Sequence, residues 1–177
     1  MDALSLLREQ LRDAHALLEA VMEGVTPEAA HWIPPGRANP VGATYAHVVV
    51  SEDRTINGIL RHRRPLYDTT WSGKTGLNEL MPARGDEWND YEPWTRRVKV
   101  DLPAAHEYAG AVYADSDAYL ASLSPQDLDT EIDLSGMGSG QVTLGWILSR
   151  LVVGHADNIA GEISCLKGLQ GLQGYPF

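Results

Sequence analysis

Residues 142–170 read VTLGWILSRLVVGHADNIAGEISCLKGLQ, and this stretch decides the fold. Leu144, Leu148, Leu151, His155, Ile159, Ile163 and Leu166 recur at steps of three and four, the period that puts side chains on one face of a helix. Thr143 stands where an N-cap belongs, and the tail GLQGLQGYPF supplies glycines at the far end. The segment predicts one long amphipathic helix. His155 falls inside its apolar stripe, between Leu151 and Ile159, so the pattern aims an imidazole at the core.

Three more segments carry the same signal. Leu4, Leu7, Leu11, Ala14, Leu18 and Val21 form a helical stripe over residues 3–23, closed by Gly24. Asn39 and Pro40 read as an N-cap followed by proline at the first helical position, opening a helix that runs to about Arg61. Residues 102–123 resume the spacing with Leu102, Ala105, Ala109, Val112, Tyr119 and Leu123. Between these lie a loop over 24–40, with a short capped turn at Thr26-Pro27, and a glycine-rich stretch over 130–142 that reads as a loose hairpin or a loop. Residues 64–100 hold Tyr67, Trp71, Trp88, Tyr91 and Trp94 among many Gly, Pro and Asp, with a short helix possible near 86–99. Each long helix can bury its stripe only against the others. The expected fold is therefore all-α, a four-helix bundle in one domain (1–177) with a long crossover connection between the second and third long helices.

Composition narrows the function classes. Hydrophobic residues make up 44% of 177, enough for a core, yet no run approaches the roughly 20 apolar residues of a membrane span. Charged residues interrupt the first segment, which argues against a signal peptide and for a cytoplasmic protein. One cysteine, Cys165, excludes an internal disulfide framework and a Cys-rich zinc site; its apolar setting predicts a small buried hydrophobe. The net charge of -10 disfavours nucleic acid and anionic membranes as partners. The basic run Arg61-His62-Arg63-Arg64 reads as the cationic last turn of a helix.

Few residues carry a chemical signal. A core-facing imidazole such as that of His155 needs a carbonyl, carboxylate, water or metal for its nitrogens. His47, in TYAHVVVSEDRT, precedes Glu52, which lies close to the apolar face and is placed to pair with Arg54 or Arg150 or to orient a histidine. Ser72-Gly73-Lys74-Thr75 imitates the end of a phosphate-binding loop, but residue 68 is Asp where Gly is required, and no strand precedes it. His106, Tyr113 and Tyr119 share one side of the third long helix and read as core or rim residues. His15 and His31 have no evident partner.

The order of elements, His47 in NPVGATYAHVVVSED, and the ending VTLGWILSRLVVGHADNIAGEISCLKGLQGLQGYPF resemble the DinB/YfiT-like family over nearly the whole chain. That resemblance implies a four-helix bundle, often dimeric. It also implies a divalent metal (Zn or Ni) on three histidines, one from the second helix and two spaced i, i+4 on the last. Some relatives act with a thiol cosubstrate as S-transferases, and others look like hydrolases or isomerases. His47 and His155 match two of the ligands. Ile159 stands where the third belongs and cannot coordinate. Glu52, His106, Asn158 and Glu162 are the polar groups nearest in sequence or pattern. Glu162, about 10 Å along the axis, is far for the same ion, and Asn158 is a poor zinc ligand. The resemblance therefore leads to a small-molecule pocket with an incomplete metal site, metal being weak or absent, as in a ligand-binding or stress-response module. The alternatives are a metal-dependent thiol S-transferase or hydrolase with an unidentified third ligand, and a homodimer with no small ligand.

Overall fold

The computed structural model describes residues 2–82 and 90–177. Trp88 and the start of the short helix expected near 86–99 lie outside the described residues. The chain is mainly helical, with one two-stranded sheet.

Helix α1 (Ala3–Met22) starts where the Asp2 carboxylate accepts a bond from the Ser5 amide at 2.8 Å. It ends where the Lys167 ammonium donates to the carbonyls of Val21 (2.7 Å) and Glu23 (2.9 Å), covering the negative end of the helix. Short helix α2 (Pro27–His31) is capped by Thr26, as the sequence predicts. Helix α3 (Val41–Asp53) runs without a break into a π-helical segment, Arg54–Leu60. Its predicted cap is corrected by one residue. Pro40 takes the cap position, and the Asn39 side chain instead accepts a bond from Thr95 Oγ1 at 3.0 Å.

Helix α4 (Tyr91–Arg97) lies within the crossover, and α5 (Leu102–Ala121) follows it. The stretch over 130–142 resolves as a hairpin: β1 (Glu131–Leu134) pairs antiparallel with β2 (Gly140–Thr143). Thr143 then caps α6 (Leu144–Ile147) by accepting from the Trp146 amide at 3.1 Å. A second π-helical segment, Leu148–Val153, joins α6 to α7 (Gly154–Leu169) as one continuous rod.

Helix α1 packs on α5 and α7, and α3 packs on the same two. The hydrophobic core runs through all four and includes Leu11, Leu18, Val49, Ile56, Val112, Leu120, Leu148 and Ile163. The crossover is fastened to this core rather than draped over it. Trp94 is fully buried and its Nε1 donates to the Glu79 carbonyl at 3.1 Å. Gly76, at φ 74°, donates no bulk: a Cβ there would sit 2.6 Å from the Ala105 amide nitrogen and the Asp101 carbonyl at the start of α5.

Cys165 corrects the expectation of a buried thiol, because it is exposed on α7. Among the described residues no helix is long and apolar enough to cross a membrane.

Candidate functional site

The faces of α3 and α7 that meet in the core bring His47 and His155 together. Their Nε2 atoms are 3.1 Å apart, with the rings nearly perpendicular and the centroids separated by 4.9 Å. The sequence pattern aimed His155 inward, and the structure puts it in direct contact with His47. His47 Nδ1 lies 3.1 Å from the Met81 sulfur. A thioether has no proton to give, so Nδ1 of His47 is the donor there. In the neutral ring Nε2 then carries the lone pair, and His155 Nε2–H donates to it. Tyr91 meets the His47 ring edge-on at 5.2 Å and closes its other side.

Both rings are held neutral. Burial, the neighbouring His155 and the Arg54 charge push His47 down to about 3. Burial also lowers His155, and the nearby Glu52 charge opposes that shift.

The pair forms part of the wall of a cavity of about 330 Å³. That volume is at the small end of the range for ligand pockets. Arg54, Thr55 and Ile59 come from the first π-helical segment, and Arg150 and Leu151 from the second. A π turn adds one residue to a helical circuit and so re-aims the side chains that follow; such turns occur often at functional sites. Met81 from the crossover and Met137 from the hairpin turn supply more apolar wall.

The other predicted site residues are dispersed. Asn158 lines the same cavity. Ile159 is 7% exposed and belongs to the hydrophobic core. Glu162 is exposed on α7 and is not part of the cavity wall; its charge acts on Tyr91, whose hydroxyl burial pushes up. Glu52 pairs with neither arginine. Its carboxylate is buried, 2.9 Å from His15 Nε2, and accepts from Ser116 Oγ at 2.6 Å. The histidine it orients is thus His15 on α1, which stacks on Tyr113 at 3.8 Å. His106 serves a separate cluster, with Nδ1 2.6 Å from Glu19, which also accepts from the hydroxyls of Tyr45 (2.7 Å) and Tyr113 (2.8 Å). His31 Nε2 accepts from the Val100 amide at 2.9 Å.

The donor set can be tested against a catalytic zinc, which needs three protein ligands about 2.0–2.2 Å from the ion and one open position. Two imidazole nitrogens on a tetrahedral ion stand roughly 3.3 Å apart. The observed 3.1 Å is close to that edge. Yet no group of three or more His, Cys, Asp or Glu side chains suited to a metal occurs among the described residues. Glu52 is already committed, and a hydrocarbon fills position 159. The residues present do not fit a three-ligand metal centre.

Arg54, Met81 and Met137 were not anticipated as site residues. Arg54 was read only as a partner for Glu52, and no periodicity signal marks the two π turns that carry the arginines. Met81 sits in an irregular segment and Met137 in a short 3-10 turn, and the paths of both depend on tertiary packing.

A solved structure, described as a conserved protein from Enterococcus faecalis, matches 96% of this chain and 97% of its own with a TM-score of 0.79 at 23% sequence identity. At that identity the likeness is one of fold. No curated protein matches the chain. The model of the DinB superfamily matches residues 10–158, a span that contains most of α1, the His47 helix, the crossover and the start of α7. The chain belongs to the DinB superfamily.

Proposed function

We propose that this protein is a DinB-superfamily small-molecule binder whose pocket is built around a two-histidine remnant of a metal site. The observation that carries the reading is the direct contact of two neutral imidazoles on the wall of a 330 Å³ cavity. In the absence of an ion the rings satisfy each other, one donating and one accepting. A metal would require both lone pairs to point at the ion, so His155 would have to move its proton to Nδ1. It would gain only two protein ligands in return, and two imidazoles hold a first-row ion weakly. The wider architecture is proposed to be a four-helix bundle, from the pairing of α1 and α3 with α5 and α7.

The reading is tested by metal analysis of protein purified without chelator and then reconstituted with zinc or nickel, beside His47→Ala and His155→Ala. Metal well below one ion per chain is expected. One ion per chain that both substitutions abolish would overturn the remnant site and favour a metal-dependent S-transferase or hydrolase instead. The homodimer implied by the family belongs to the same proposal. Light scattering reads it directly, since the chain alone weighs 19.3 kDa.

A further inference from the structure

The charges around the cavity run against those of the molecule. The chain carries 24 Asp and Glu and a net charge of -10. Nevertheless the cavity wall contains no carboxylate among the described residues, and it contains two arginines, Arg54 and Arg150. Six arginines elsewhere are matched to acids: Arg8 and Arg12 to Asp117, Arg61 and Arg63 to Asp115, Arg37 to Glu92, and Arg97 to Glu79. Arg64 and Arg96 donate to the carbonyls of Asp68 and Gly36 and line no part of this cavity.

Arg54 and Arg150 line the cavity and have no acid partner among the described residues. Among the described residues Arg54 makes three contacts of 3.3 Å, all to neutral acceptors: the Tyr67 hydroxyl and the carbonyls of Met81 and Pro82. These fix the guanidinium against the crossover without neutralising it. Arg150 is exposed and has no hydrogen bond or ion pair among the described residues. A guanidinium is always charged and presents a planar fork of donors that matches a carboxylate. Ile59, Met81, Met137 and Leu151 supply an apolar part of the wall, beside the polar side chains of Ser51, Thr55 and Asn158.

Resting on the reading of this cavity as a small-molecule pocket, we propose that its ligand is a small amphiphilic carboxylate. The acid group pairs with Arg54 and Arg150, and the hydrocarbon body lies along the methionine, isoleucine and leucine side chains. His47 and His155 supply a neutral donor and acceptor beside it. Arg54 is the preset half of the clamp, and Arg150 is the half free to close on the ligand.

The experiment is calorimetric or NMR titration of the full chain at pH 7.5 with hexanoate, benzoate, 1-hexanol, benzyl alcohol and inorganic phosphate. Both carboxylates are expected to bind at least about tenfold more tightly than the matching alcohols. Arg150→Met is expected to remove that preference. Arg150 is exposed, so this variant keeps the fold. Arg54→Lys, which retains charge but not the fork, is expected to weaken the carboxylates part of the way. Equal binding of alcohols and carboxylates would overturn the carboxylate assignment and leave the pocket standing. Phosphate binding as tight as that of hexanoate would overturn the amphiphile and leave a simple anion site. An unchanged preference in Arg150→Met would overturn the clamp. No binding by any of the five probes would overturn the pocket reading itself.

Discussion

At the scale of single residues, the chemistry of the site is that of two imidazoles kept neutral by burial. His47 binds its proton at about 3 in the folded chain and near 6.5 when exposed. Between those values the unfolded chain holds more protons, so stability must rise with pH across the interval and level off above it. His155 is shifted in the same direction and adds to the slope. His47→Gln should flatten the profile, losing about 1–2 kcal/mol less than the native protein between pH 6.5 and pH 5 in urea unfolding. An unaltered profile would mean that His47 is not the group responsible. Position 159 makes the complementary prediction. Ile159 stands one turn beyond His155, so Ile159→His adds a third imidazole on that side of α7. The variant should hold zinc at near one ion per chain where the native protein does not, as atomic absorption after dialysis would read.

At the scale of elements, the helices were legible in the sequence because each carries a periodic stripe and a local stop signal. Thr26 and Thr143 cap their helices as expected, and His155 faces inward as its neighbours Leu151 and Ile159 require. What stayed hidden depends on contacts distant in sequence. The π turns at Arg54–Leu60 and Leu148–Val153 leave no mark on the apolar pattern, although they carry both arginines of the cavity. The partner of Glu52 lies 37 residues away in sequence. The thiol of Cys165 looked buried because its neighbours are apolar, yet it sits on the outer side of α7. The crossover gave no periodic signal because single anchors hold it, Gly76 among them. Gly76→Ala combines a left-handed backbone with a Cβ driven into the α5 backbone, and is expected to cost about 2–4 kcal/mol in denaturant unfolding. Full stability in that variant would show that the crossover docks elsewhere.

At the scale of the whole molecule, a buried polar core joins the helices that the hydrophobic stripes bring together. His15 from α1, Glu52 from α3 and Ser116 from α5 meet at one carboxylate. Glu52→Ala would strand both partners without an acceptor and is expected to destabilise the fold by about 3–5 kcal/mol. Glu52→Gln, which keeps a carbonyl for Ser116, should cost distinctly less. Against this frame the His47–His155 pair stands apart, since it faces a cavity and binds itself rather than a carboxylate. The most direct test of that central contact is a pH titration of the ring nitrogens by long-range proton–nitrogen NMR on metal-free protein. The structure predicts a His47 ring that stays neutral, with its proton on Nδ1, down to about pH 4, and a His155 ring with its proton on Nε2. Two rings that both protonate near pH 6.5, each freely exchanging its tautomers, would contradict it.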